Sequence, residues 1–195
     1  MALDYASQVK NVGISGDAAV LLSVRDSDKS KPYIPLAGGA TDGWSKDDEA
    51  TATCFCGAVQ LAFPTVAPGL VDTFVCNCTD CRKLTASMFT SAFIINNEYL
   101  KHIRGQSNLK QFSQSSSIAT RTLMTNYFCD TCGTLMYRVA ERFPGHSLLR
   151  LGTVDDFNLV ETKLRPRTEA FTKDRVRWFP GVPGEDVRRF ETNPA

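Results

Sequence analysis

Cys76-Asn77-Cys78-Thr79-Asp80-Cys81 places three thiols within six residues. That is too dense for an ordinary core and one sulfur short of a closed tetrahedron. The other four cysteines form two short pairs, Cys54-Phe55-Cys56 and Cys129-Asp130-Thr131-Cys132. Zinc in a structural site takes four thiolate or imidazole ligands, most simply as two chelates from two chain segments. A glycine follows each pair, Gly57 and Gly133, so the backbone can turn tightly and leave an N–H free to bond a sulfur. The spacing predicts a structural zinc on Cys54, Cys56, Cys129 and Cys132. It predicts a second zinc, two per chain in all, on Cys76, Cys78 and Cys81, the catalytic group, with one coordination position left for chemistry.

Three sulfurs without a histidine make bound zinc a mild Lewis acid and favour soft, exchangeable thiolate partners over hard oxygen ligands. The natural substrate is then a small thiol or its adduct. Without metal, the same cysteines are reactive thiols beside Arg82 and Lys83, whose charges favour thiolate. Arg82 and Lys83 are candidates for anchoring a substrate carboxylate, with a solvated charged surface as the competing reading. Ser87 and Phe89 are candidate pocket residues, and Phe93 and Ile95 share the face of Phe89 on a strand; core packing competes for each aromatic. The only histidines, His102 and His146, lie far from the three thiols in sequence, and either could close that site through the fold.

Short strands must deliver these residues. Val59, Leu61 and Phe63 alternate with Ala58, Gln60 and Ala62 over Ala58–Phe63, which is strand period. Val71–Val75 reads as a strand running directly into the three thiols, and Thr120–Phe128 as one delivering Cys129. Phe89–Ile95, His102–Gly105 and Leu109–Ser113 read as further strands. Leu135–Val139 and Ser147–Leu151 read as a hairpin across Phe143-Pro144-Gly145-His146. Arg82–Ala86 has room for a turn or a short helix. The class is mainly β with few short helices.

Three regions follow from the text: an N-terminal extension (1–50), a zinc-binding domain (51–180) and a C-terminal tail (181–195). The extension has one candidate strand at Val20–Val24, then a charged, breaker-rich loop; it packs on the domain or covers a substrate. Glu161–Ala195, rich in Arg, Pro and aromatics, reads as a solvated stretch with aromatic anchors. Lys+Arg of 22 against Asp+Glu of 21 leaves no basic footprint, which argues against a nucleic-acid partner. The N-terminus has no basic leader, and its longest apolar run, Ala18–Leu22, is too short for a span. A cytoplasmic protein without a membrane partner is expected. There clustered cysteines serve as ligands or nucleophiles rather than disulfides, and an odd number would strand one.

The stretches Cys54-x-Cys56-Gly57, Cys76-x-Cys78-x-x-Cys81-Arg82-Lys83-Leu84-Thr85-Ala86-Ser87 and Phe128-Cys129-x-x-Cys132-Gly133-Thr134 resemble the glutathione-dependent formaldehyde-activating enzyme family, which includes centromere protein V. The resemblance covers about residues 51 to 180, including Trp178-Phe179-Pro180. It implies a β-tent fold of small antiparallel sheets around zinc, with the four-cysteine set structural and the three-cysteine set at the glutathione site. It implies a carbon–sulfur lyase or synthase of the S-hydroxymethylglutathione type, with glutathione as co-substrate. Asn77 stands where many members of that family have histidine. The long extension suggests a substrate larger than formaldehyde.

Two other readings remain open. One is a tailoring enzyme of specialised metabolism that uses zinc as a Lewis acid on a carbonyl compound. The other is a non-catalytic, zinc-stabilised binding module, which requires the three-thiol site to be closed or empty. Either enzyme reading takes a small-molecule thiol or carbonyl substrate, and a homodimer is compatible with each.

Overall fold

The computed structural model describes residues 25–118 and 121–194; the strand expected at Val20–Val24 and the start of the one expected at Thr120 lie outside them. In chain order the strands are β1 (Ser45–Lys46), β2 (Glu49–Thr53), β3 (Gln60–Pro64), β4 (Leu70–Cys76), β5 (Thr90–Asn96), β6 (Lys101–Arg104), β7 (Leu109–Gln114), β8 (Met124–Cys129), β9 (Leu135–Ala140), β10 (His146–Arg150), β11 (Thr168–Ala170) and β12 (Arg188–Phe190). Two short α-helices, α1 (Thr79–Thr85) and α2 (Phe157–Glu161), accompany them, with single 3-10 turns in the connections.

The strands form two sheets. The smaller is antiparallel, in the order β1-β2-β3-β6, and the larger runs β12-β11-β4-β5-β10-β9-β8-β7. The mainly β, two-sheet architecture agrees with the expected tent. The hairpin expected between β9 and β10 is present, with Leu148 opposite Arg138 and Leu149 opposite Tyr137.

The core fills the space between the sheets. Ala50, Ala52, Leu61 and Phe63 come from the smaller sheet, and Phe93, Ile95, Met136 and Leu149 from the larger; all are fully buried. The rings of Phe63 and Phe93 meet across it with centroids 4.7 Å apart. Strand period puts Val59, Leu61 and Phe63 on one face, as expected, but the other face of β3 is covered too. The Gln60 amide donates to Asp42 at 3.2 Å and to Thr53 at 3.1 Å. Arg104 donates to Asp42 from both terminal nitrogens.

The cover comes from residues 25–50, which pack on the domain. The Asp156 carboxylate caps α2 through the Asn158 N–H at 3.1 Å and also accepts from the Tyr33 N–H at 2.9 Å. The Asn158 amide donates to the carbonyls of Asp28 and Lys31, both at 2.8 Å. Side chains that cap a helix thus fasten the preceding segment as well.

The solvated stretch expected after Glu161 is instead built into the larger sheet. β11 pairs parallel with β4, placing Ala170 opposite Cys76, and β12 pairs parallel with β11. These parallel pairings were not legible because three-residue strands carry no usable period. Glu169, at the centre of β11, is completely buried. Its carboxylate accepts from Arg175 at 3.1 Å, from the Asn77 amide at 3.0 Å and from the Val182 N–H at 3.3 Å. Of the expected aromatic anchors, Phe179 stacks on Phe89 at 4.3 Å, whereas Trp178 is 69% exposed.

Because Phe63 fills the junction between the sheets, Phe63→Ala is expected to cost about 3–5 kcal/mol, read as a lower urea midpoint of the zinc-saturated protein.

Candidate metal centres and cavity

The seven thiols gather into the two expected groups. The sulfurs of Cys54, Cys56, Cys129 and Cys132 lie within 4.8 Å of one another, as do those of Cys76, Cys78 and Cys81. Among the described residues neither group includes a histidine or a carboxylate. His102 bonds Tyr137 at 3.3 Å and His146 bonds the Pro144 carbonyl at 2.9 Å, so each has another partner.

The four-thiol group joins the two sheets. Cys54 and Cys56 sit between β2 and β3 in the smaller sheet, and Cys129 and Cys132 at the β8–β9 connection of the larger. Gly57 turns the first connection with φ 79°, and a β-carbon there would lie 2.4 Å from the Gly39 carbonyl oxygen. Gly133 turns the second with φ 72°. The glycine N–H groups do not bond sulfur as expected; they close the turns onto the carbonyls of Cys54 and Cys129 at 2.9 and 2.8 Å. Sulfur is served by other donors: the Val59 N–H reaches Cys54 at 3.2 Å, the Asn108 amide reaches Cys129 at 3.2 Å, and the Thr134 hydroxyl contacts Cys132 at 3.1 Å.

Burial, the largest influence, pushes the Cys54 thiol up to about 12. Burial acts upward on Cys132 too, but bonds from the Thr134 side chain and backbone bring it down to about 6. Four close sulfurs with neutral donors aimed at them fit a tetrahedral zinc.

The three-thiol group is built where β4 runs into α1. Cys76 ends the strand, Cys78 caps the helix and accepts from the Cys81 N–H at 3.4 Å, and Cys81 follows one turn later. The thiols of Cys78 and Cys81 hold the Cys76 thiol far above its usual range, with burial adding to this. Hydrogen bonds from Cys76 and Cys78, aided by the charges of Arg138 and Arg150, hold Cys81 well below it. Sharing of protons among three close sulfurs suits a thiolate-selective metal.

Asn77, between the first two of these thiols, faces away from them. Its amide donates to Glu169 at 3.0 Å and to the Ala170 carbonyl at 3.2 Å, and its backbone N–H donates to Ala170 at 3.1 Å. It fastens the chelate to β11.

A cavity of about 230 Å³ opens over Cys76, Cys78 and Cys81. It lies on the face of the larger sheet opposite the core, as the register requires. Cys76 is opposite Thr90, Phe74 and Arg150 flank Ala92, and Asp72 and Leu148 flank Ile94. Directly paired residues share a face, so the alternation that sends Phe93, Ile95 and Leu149 inward sends Ile94, Leu148 and Arg150 to the cavity. Phe74, Ile94, Met124, Leu148 and Phe171 supply apolar wall, and Asp72, Asp80 and Asp174 supply carboxylates.

Arg82, Lys83, Ser87 and Phe89 are not among the lining residues. Positions one and two after Cys81 turn about 100° and 200° around the helix from it, Lys83 and Ser87 are exposed, and Phe89 is taken by its stack on Phe179. The cavity's cations are Arg138, Arg142 and Arg150. Sequence reasoning missed Arg138 and Arg150 because a charge alternating with apolar residues in a strand reads as a solvent face. No residue from 25 to 50 lines the cavity, so the described part of the extension does not cover it.

A model of the family described as glutathione-dependent formaldehyde-activating enzyme matches residues 49–174. The chain belongs to this family. Both thiol groups fall within the match. No curated protein sequence matches the chain. Among solved structures, a Rhodobacter sphaeroides protein determined as a structural-genomics target is 22% identical, covers 72% of this chain and 98% of its own, and superposes with a TM-score of 0.42.

Zinc-loaded wild type is expected to carry two ions per chain, Cys78→Ser about one with its fold retained, and Cys132→Ser to lose the fold, by elemental analysis and circular dichroism. Asn77→Asp sets a carboxylate against Glu169 and is expected to cost about 3 kcal/mol at pH 8. Like charges raise a carboxyl pKa, so that penalty shrinks as pH falls; a penalty that grows on acidification would refute the clasp.

Proposed function

We propose that this protein forms or breaks a carbon–sulfur bond on glutathione or a glutathione adduct, with the three-thiol group as its working centre. The observation that carries the reading is that Cys76, Cys78 and Cys81 line a cavity, while the four-thiol group does not line it and ties two sheets together. Membership of the family supports the thiol substrate.

Zinc bound by Cys76, Cys78 and Cys81 would hold an incoming thiol as its thiolate near neutral pH. The protein's own groups do the rest. Arg138 and Arg150, both buried beside the sulfurs, favour negative charge at this end of the cavity. Asp80 and Asp174, on the cavity wall, are the carboxylates we assign to take the thiol proton and return it. In the synthetic direction the sulfur–carbon bond forms at a carbonyl carbon, the carbon–oxygen double bond becomes single, and the thiol proton ends on that oxygen. In reverse the hydroxyl proton leaves and the carbon–sulfur bond breaks. The apolar side chains exclude water and strengthen these charge interactions.

The apolar lining also favours a carbonyl partner larger than formaldehyde. All seven cysteines are free thiols, which suits a reducing, cytoplasmic setting. Among the described residues no helix is long and apolar enough to cross a membrane.

Turnover of an aldehyde by the zinc-loaded protein is expected to vanish without glutathione and to return when it is added. Cys78→Ser is expected to lower turnover by at least 10²-fold at unchanged stability. Consumption of the aldehyde at the same rate without any thiol would remove the thiol substrate and leave Lewis-acid chemistry on the carbonyl.

A further inference from the structure

Arg138 and Arg150 are both nearly sealed from solvent, 5% and 6% exposed, and both line the cavity over the three thiols. Among the described residues no Asp or Glu pairs with either. Arg138 donates through Nε to Asn126 at 3.0 Å, and its Nη1 stands 4.0 Å from the Cys81 sulfur, too long for a strong bond. Arg150 donates through Nη1 to Thr90 at 2.9 Å. Nη2 of Arg138 and both Nε and Nη2 of Arg150 have no partner. Two guanidiniums buried with unused donors are costly unless an anion joins them.

The thiols supply only part of that anion. The cavity wall also carries Asp72, Asp80 and Asp174 and a third guanidinium, Arg142, but Asp72 pairs with Arg167 and Arg188, and among the described residues none of the three carboxylates pairs with Arg138 or Arg150. The unused donors of Arg138 and Arg150 therefore face a cavity in which no carboxylate of the described chain meets them, and an anionic group of a ligand would satisfy them. Phe74, Ile94, Met124, Leu148 and Phe171 supply the apolar part of the lining beside the two guanidiniums.

We infer that, beside the thiol, the cavity takes an apolar molecule with a single anionic group, of the aryl or alkyl carboxylate class, whose charge is held by Arg138 and Arg150. This rests on the reading of the three-thiol group as the working centre, and it identifies the carbonyl partner as an apolar oxo-acid. Guanidinium suits the task because its planar fork meets a carboxylate through two N–H groups. Arg142, at the cavity wall against Phe143, is the competing cation.

Isothermal titration of the zinc-loaded protein with 3-phenylpropionate beside 3-phenylpropan-1-ol, and with hexanoate beside 1-hexanol, tests this directly. Each acid is expected to bind at least tenfold tighter than its alcohol. In Arg150→Met that preference is expected to fall below threefold, with the alcohol's affinity and the zinc content unchanged, while Arg150→Lys retains most of it. Cys78→Ser is expected to keep the preference although it lacks a ligand of the second metal, which separates the anion site from metal coordination and from the thiol chemistry. Equal affinity for acid and alcohol in the wild type overturns the inference. So does a preference lost in Arg142→Met but kept in Arg150→Met. If Arg150→Met does not fold, Arg138→Met is read in the same way, and failure of both to fold assigns the pair to structure alone.

Discussion

The structure depends on four sulfurs at one junction. Cys54 and Cys56 belong to a connection in the smaller sheet, and Cys129 and Cys132 to a connection in the larger. The apolar layer between the sheets is non-directional and would tolerate sliding. The thiol junction is directional, because each sulfur's position is set by a tight turn, Gly57 in one sheet and Gly133 in the other. Once the sheets are pinned there, the register of β8 against β9 and of β9 against β10 fixes where Arg138 and Arg150 lie relative to Cys81.

The second constraint is the two-residue period of the larger sheet. One face carries Phe93, Ile95 and Leu149 into the core. The other carries Phe74, Ile94, Leu148 and Arg150 to the cavity. Both faces are therefore committed, and a slip of one residue would exchange core for site. The parallel addition of β11 extends the same plane. It brings Glu169 under Asn77 and so fastens the three-thiol chelate to the C-terminal part of the chain.

Much of this was legible from residue types. Cysteine spacing separated the two thiol groups, and alternation located β3, β4, β5 and the β9–β10 hairpin to within a few residues. What the text did not carry was partnership across long separations. Glu169 reads as solvent-facing until Arg175, Asn77 and Val182 are brought to it. Arg138 and Arg150 read the same way, although each is at least nine-tenths buried. Arg82 and Lys83 looked functional through adjacency in sequence, whereas helical rotation carries them off the cavity. A charged residue in a short strand has an ambiguous face until the opposite surface is known to be covered.

The surroundings of the two thiol groups argue for different tasks. Around the four-thiol group the donors to sulfur are neutral: a backbone N–H, an amide and a hydroxyl. Such donors would suit a closed, doubly negative tetrathiolate metal site, since they add no charge of their own. Around the three-thiol group the compensation comes from two full positive charges that no carboxylate of the described chain neutralises. Burial, with Arg138's charge added, brings Arg150 down to about 10, while the three nearby sulfurs act to keep it charged. Arg150 and Cys81 therefore favour one another's charged forms, and guanidinium donors remain unused at the cavity. Holding metal alone makes no use of those unpartnered donors, whereas the proposed anionic reactant would.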